Sequence, residues 1–439
     1  MTVSDLERDV LDTERVRPTG PRPSRWRRSR LGRWLRRRPV RRTLVVTHRW
    51  TSLVLGLALL AETTSGAIVL YQAEYFRATH ASFYTHTASA HPLGPSEAFD
   101  VVQRAHPDFD AAWVSRDKAI LVVGDSAYAN AYSVDPGSGH INGHESLTGG
   151  PMGFLTNLHD CGLTCEGYPG YLPALVKPVP TLGISALTGV TWGGLTLVIL
   201  GLLMVLLAIS GAIIWWPSFA KFSHGWRVRA GRGRFARDYD LHNVIGIVAV
   251  PFILMWGVTG AAFEMPAVEN AWLTMTGGKP VSADLYSFTP HHAAKGTHRI
   301  GAAAATAAAL DRTPGHVTYL ATPSKDYDYY EISLANGYDP YGHRLFYNGD
   351  VTVYVDAHDA GHTKVVGLAS DEPTANAFYD KVFEASHFGW MVNGWWRIIW
   401  FAFGLAPLAL GLTGLSTWLV RRRVKKRRRA RRAPATAAA

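Results

Sequence analysis

Four apolar stretches, at about residues 41–72, 189–216, 240–264 and 394–420, are long enough to cross a bilayer and leave the chain few architectures. Spanning a hydrocarbon core of roughly 30 Å takes about 20 helical residues. Backbone groups in lipid must be satisfied within the segment, so each stretch is read as a transmembrane helix. The basic residues set the direction. Of 45 Lys and Arg, 14 precede Thr43, 6 lie between Trp216 and Leu241, and 10 follow Val420. Cytoplasmic loops gather Lys and Arg, so both termini and the loop at 217–239 are expected in the cytoplasm, with the protein in the cell (inner or plasma) membrane. The long connections, 73–188 and 265–393, are then extracytoplasmic.

A mean hydropathy of zero averages these spans against arginine-rich ends. The net charge of +11 follows from the same placement. It points to topology and anionic lipid headgroups rather than to nucleic acid. The outer connections are acidic, with Asp and Glu outnumbering Lys and Arg, and are unsuited to gripping phosphate. The first apolar run is longer than a signal-peptide core and lacks a small-x-small cleavage site, so it is read as a retained helix. Residues 1–40, rich in Arg and Pro, are expected to be disordered, and 421–439 form a basic cytoplasmic tail. The only two cysteines, Cys161 and Cys165, fall outside, where a disulfide can persist and pin a local turn. Their spacing is not that of covalent haem attachment.

The organisation repeats: a helix from inside, an outer segment, a helix back. His48-Arg49-Trp50 opens one helix with Ser65-Gly66 near its far end, and Leu241-His242-Asn243 opens another with Thr259-Gly260 near its far end. His48 to Gly66 and His242 to Gly260 are both 18 residues. The returning helices carry Ser210-Gly211 with Trp215, and Thr413-Gly414 with Trp418. Such small residues let helices approach closely, and that is the role expected of them here. Each outer segment holds a helical pattern, Ser96–Ala105 or Ala302–Leu310, then short strands ending in Val-Asp and a glycine turn, at Asp135 and at Asp356. The fold class expected is an α-helical membrane protein with four transmembrane helices and two extracytoplasmic α+β modules, internally duplicated.

Eighteen histidines occur, but only His48, His224 and His242 fall on the inner side. His48 and His242 sit at equivalent positions inside membrane helices, where ionisable groups default to functional readings. The bland alternative is a pair of interfacial histidines bonded to their neighbours. On the outer side His159 and His387 precede the second and fourth helices. That equivalence favours them over His291, His292 and His298, which the sequence offers only as a separate surface metal site. Two histidines at each face suggest two cofactors stacked across the membrane, about 20 Å of helix apart. Imidazole pairs without carboxylate or thiolate support suit haem iron, one ligand from each side. Arg49 and Arg397 are candidate partners for haem propionates. Glu62, deep in the first helix, is a candidate for proton transfer or pairing inside the bundle.

These residues together resemble the PepSY-associated transmembrane family, whose members include iron-regulated membrane proteins and ferric-siderophore reductases. The elements are His48-Arg49-Trp50 with its Ser-Gly, Leu158-His159, Ala208–Pro217, Leu241-His242 with Thr259-Gly260, and His387-Phe388-Gly389. The outer helices and Val-Asp closures are similar to PepSY modules. The resemblance covers about residues 40–422. It departs from the family between Cys161 and Gly189, which is longer than usual. It implies b-type haem ligation by His48, His242, His159 and His387, and reduction of an iron chelate outside the cytoplasm. No G-x-G-x-x-G follows a strand and the middle loop is short, so a cytoplasmic reductase or reduced carrier is expected as the electron donor. The acceptor expected is a ferric siderophore or a similar chelate. The alternative from another class is a non-enzymatic PepSY-type membrane protein that binds or restrains a secreted peptidase.

Overall fold

The computed structural model describes residues 38–216, 219–281, 287–291, 297–336, 349, 351–367, 373–389 and 394–432. In chain order these form helices α1 (Arg38–Val54), α2 (Gly56–Val69), α3 (Gln72–Thr79) and α4 (Pro95–Ala105). Strands β1 (Ala111–Asp117), β2 (Ile120–Asp125), β3 (Asn130–Val134) and β4 (Ile141–Ser146) follow. Next come α5 (Gly150–Cys161), α6 (Trp192–Trp215), α7 (Arg234–Glu264), α8 (Pro266–Thr276) and α9 (Ala302–Arg312). Strands β5 (His316–Ala321), β6 (Tyr329–Ala335), β7 (Val351–Asp356) and β8 (Thr363–Val366) precede α10 (Thr374–Phe378), α11 (Arg397–Gly404) and α12 (Ala406–Arg432). Most of the stretch 1–40, expected to be disordered, lies outside the described residues, as do 433–439.

The chain divides into two compact units. The first holds the described residues up to Thr64, Leu197–Ala261, and Phe401 onward. Among the described residues, three helical stretches are long and apolar enough to cross a membrane: Trp192–Trp215, Arg234–Glu264 and Arg397–Arg428. The expected first span, 41–72, is not one rod. It is two helices bent by 67° at a break after Val54, and as a pair they make up the fourth candidate span. Gly56 opens the second piece with open space where a side chain would stand, and glycine resists the break least. The basic tail is helical too, since α12 runs on to Arg432.

Within this unit Leu59, Leu200, Met204, Ala208, Ala249, Ile253 and Ala406 bury one another. Gly201 of α6 and Gly257 of α7 meet so closely that a Cβ on either would stand 2.7 Å from the other's carbonyl oxygen. Small residues do the work here that bulk does in water, because contact between helices must beat contact with lipid. Ile199, Leu202, Leu206 and Ile209 stay exposed on α6, the side chains such a helix offers to hydrocarbon.

The second unit, Ser65–Thr196 with Ala262–Trp400, is built on one antiparallel sheet in the order β4-β3-β2-β1-β5-β6-β7-β8. Two separate α+β modules were expected, and each outer segment supplies a four-stranded meander. They join edge to edge, β1 to β5, through Trp113↔Ala321, Val114↔Leu320 and Ser115↔Tyr319. Pairing removes two open strand edges, which are otherwise a template for aggregation. The period-2 alternation decides the faces. Val114, Leu121, Val123 and Val134 meet Ala98 and Val102 of α4. Leu320, Ile332, Val353 and Val355 meet Ala305 and Ala309 of α9. On the reverse face of the first meander, Trp113, Ile120 and Val122 pack on Phe76 and Phe83. Gly124 makes room for the Trp113 indole, which would overlap any Cβ there.

Each meander closes its β3–β4 or β7–β8 loop on a buried aspartate. Asp135 accepts from the amides of Thr87 (3.0 Å) and Gly137 (2.9 Å) and from the Ser138 hydroxyl (2.6 Å). Burial alone would raise its pKa. The bonds from Ser138, Thr87 and Gly137 outweigh that and hold it well below the usual carboxylate range. The native state therefore binds fewer protons than the unfolded chain in acid, so this stability is present above the unfolded carboxylate pKa and lost as pH falls through the native one. Asp135→Asn should cost about 2 kcal/mol near neutral pH and flatten the acid limb of stability, as read by urea unfolding at a series of pH values.

Candidate functional site

The first unit brings His48 of α1 and His242 of α7 together. Their ring centroids lie 6.4 Å apart with the planes at 88°. Each ring is anchored from behind by a returning helix. His48 Nδ1 lies 2.9 Å from Ser210 Oγ, whose own proton goes to the Leu207 carbonyl at 3.2 Å. The hydroxyl is then left to accept, so Nδ1 of His48 carries the proton. His242 Nδ1 lies 3.1 Å from the Leu410 carbonyl and 3.2 Å from Thr413 Oγ1. A carbonyl only accepts, so here too Nδ1 is the protonated nitrogen. In both rings Nε2 is left with a free lone pair.

Gly211 and Gly414 complete these seats. A Cβ on Gly211 would stand 3.3 Å from His48 Cε1, and one on Gly414 would stand 3.4 Å from His242 Cε1. The Ser-Gly and Thr-Gly doublets were expected to serve helix approach alone. They also hold the histidines, the hydroxyl by hydrogen bonding and the glycine by leaving room. Sequence reading missed this second duty, though the equal spacing of the doublets carried the signal.

The second unit does the same with His159 of α5 and His387, whose ring centroids lie 6.2 Å apart with the planes at 38°. A Cβ on Gly66 would stand 2.3 Å from His159 Cε1, too close for both to fit. Asn157, two residues earlier and fully buried, fixes the end of α5. It accepts from Cys165 N at 3.1 Å and donates to the Pro169 carbonyl at 3.1 Å. The Cys161–Cys165 disulfide closes that turn over left-handed Gly162 and Leu163. The long connection from Cys161 to Gly189 is thus tied back to the helix that carries His159.

His387 follows a π-helical turn, Tyr379–Glu384. The Ser386 hydroxyl donates to the Val382 carbonyl at 2.5 Å, and Trp400 Nε1 donates to the Ser386 carbonyl at 2.7 Å. Phe263 stands edge-on to the His387 ring at 5.1 Å. Burial, and the nearby His159 after it, push the His387 pKa down to about 3, so this imidazole is neutral across the physiological range.

Both arginines leave a buried Nε without a partner. The Arg49 guanidinium lies 5.7 Å over the Trp50 ring. Arg397 is almost fully buried and already engaged. Its guanidinium holds the Glu74 carboxylate and the Leu70 carbonyl and lies 5.1 Å over the Tyr71 ring. Glu62 sits on α2, half-buried. Of the set-aside outer histidines, His292 lies outside the described residues. His298 contributes its backbone carbonyl to His358, and His291 stacks on His362.

Apolar helices of spanning length, joined in one chain to an antiparallel α+β unit, define a membrane protein. Residues 45–421 match the PepSY-associated TM region, and the chain belongs to that family. No curated protein matches it.

Because Gly66 has no room for a side chain beside His159, Gly66→Ala should expel that ring. Carbethoxylation of His159, followed by peptide mass spectrometry, should then speed up several-fold. His48 and His242 should keep their wild-type rates.

Proposed function

We propose that the protein is a transmembrane di-haem electron carrier that reduces an extracytoplasmic acceptor, a ferric siderophore, in iron acquisition. The observation that carries this reading is the separation within each histidine pair. Two imidazoles on opposite sides of one iron, with metal–nitrogen bonds of about 2.0 Å, have ring centroids about 6.3 Å apart. The pairs stand at 6.4 and 6.2 Å. Directly packed rings range from Phe252 and Phe403 at 3.9 Å to Phe76 and Tyr84 at 6.4 Å, so the support lies in both histidine pairs standing at the one separation a shared iron needs.

His48 and His242 would hold one b-type haem, and His159 and His387 the other. Bound haem supplies reversible one-electron chemistry at iron. The protein's own contribution is orientation. Nδ1 of each inner ring is spent on the facing helix, which fixes the tautomer and leaves Nε2 as the nitrogen for iron, as second-sphere partners do for metal-bound histidine generally. The unpartnered Arg49 Nε suits an anionic group such as a propionate. Arg397, held by Glu74 and Leu70, suits that role less and acts first to tie α11 to the Leu70–Glu74 segment.

The same reading takes the chain as internally duplicated, sited in the cell membrane with both termini cytoplasmic, and receiving electrons from a cytoplasmic reductase or reduced carrier. Reduction would free the metal because oxygen-donor chelators hold Fe(II) less well than Fe(III).

A purified sample should show a Soret band that shifts on reduction with dithionite, with about two haems per chain. His242→Ala should remove about half of the haem; unchanged haem content would reject the inner pair. The reduced protein mixed with ferric siderophores should reoxidise. A sample with no reducible Soret band would favour the binding or restraint of a secreted peptidase instead.

A further inference from the structure

The two loop-closing aspartates form an internal comparison that exposes a second site. Asp135 directly follows β3 and Asp356 ends β7, and their amides bond to the carbonyls of His140 (2.8 Å) and His362 (3.0 Å) across equivalent loops. Both carboxylates accept the amide two residues on, from Gly137 (2.9 Å) or His358 (2.8 Å). Both also accept an amide from a preceding segment, that of Thr87 (3.0 Å) or His291 (2.6 Å). The third bond differs. Asp135 takes it from the Ser138 hydroxyl, whereas Asp356 lies 3.1 Å from the ring nitrogen Nδ1 of His362. The Asp135 carboxylate is held by Thr87, Gly137 and Ser138, while His140 gives the loop its backbone carbonyl, so this turn folds without an imidazole on its aspartate.

At the second loop the imidazoles gather. His291 and His362 stack with centroids 3.7 Å apart and planes within 7°. One potential ligand atom from each of His291, His362 and Asp356 lies within 4.8 Å of the others. Phe288 supports the His362 ring at 4.8 Å, and Asp359 Oδ2 lies 3.6 Å from His291 Nδ1. His358 is not part of this set. Its Nε2 is 3.0 Å from Asp328 and its Nδ1 is 3.2 Å from the His298 carbonyl, so both nitrogens are spent.

We propose that His291, His362 and Asp356 bind a divalent first-row transition metal ion. Two neutral imidazoles and one carboxylate form a donor set that suits zinc and its neighbours, with positions left open for water. Ligand atoms at about 2.1 Å from a tetrahedral ion stand about 3.4 Å apart, so the cluster must tighten slightly. Parallel rings cannot both point their lone pairs at one ion, so one must turn. His291, with its side chain 64% exposed, is the one free to do so. Asp356 is fully buried and anchors the site, while Asp359 can accept the second ring N–H of His291. This proposal stands apart from the haem reading and needs no electron transfer.

The test is a Zn2+ titration of the full-length protein in detergent, followed by calorimetry. Wild type should show a tight class of one ion. His291→Thr copies the first loop and keeps the backbone N–H; His362→Asn keeps a donor for Asp356. Both should weaken that class by at least about tenfold, since even second-sphere losses cost roughly 10–100-fold. His140→Thr should leave it unchanged. In wild type, Zn2+ should also shield His291 and His362 together from carbethoxylation, a readout that depends on no variant. Variants that titrate like wild type, or histidines that Zn2+ leaves unshielded, would overturn the site whatever the haem content.

Discussion

A neutral imidazole buried among helices has two nitrogens to satisfy, and much of this protein is arranged around that requirement. His48 and His242 each spend Nδ1 on the helix behind them, at Ser210 and at Leu410 with Thr413. What remains is a pair of Nε2 lone pairs and a centroid gap of 6.4 Å. The backing helices keep the rings from turning to find another partner, which is the fixed orientation that the proposed haem ligation requires.

Glycine is the second half of the same device. A ring seated between helices needs one neighbour with no side chain, and Gly211, Gly414 and Gly66 stand at those three places. The doublets combine a hydroxyl with a glycine because the donor must be satisfied and the ring must fit, and one residue cannot do both. In the second unit the work is shared more widely. Asn157 and the Cys161–Cys165 turn stiffen the end of α5, and Trp400 with Ser386 holds the segment of His387. The outer pair sits at helix ends and loops, where backbone geometry must be fixed by side chains instead of by a continuous helix.

Several features were legible from residues alone because their causes are local. Apolar length marks the spans, alternation marks the strands, and two cysteines four residues apart mark a turn-closing disulfide. The break at Leu55 was not legible, since a single glycine in an apolar run is more often tolerated than used. Nor was the merging of two modules into one sheet. The residues that join β1 to β5 are apolar strand residues like any others, and pairing of two edges some two hundred residues apart leaves no local pattern.

The sequence by itself determined where the chain is apolar enough to span, the α+β character of the connecting segments and the equal intervals from His48 to Gly66 and from His242 to Gly260, because each follows from period, length or spacing along one chain. The tertiary structure alone decided which nitrogen of each ring of the His48–His242 pair is protonated, that Arg397 is engaged with Glu74, and that His291 finds His362 instead of its neighbours in sequence. Those outcomes depend on atoms from distant segments meeting within hydrogen-bonding distance. Direction and distance in space are set by packing, and no residue carries them alone.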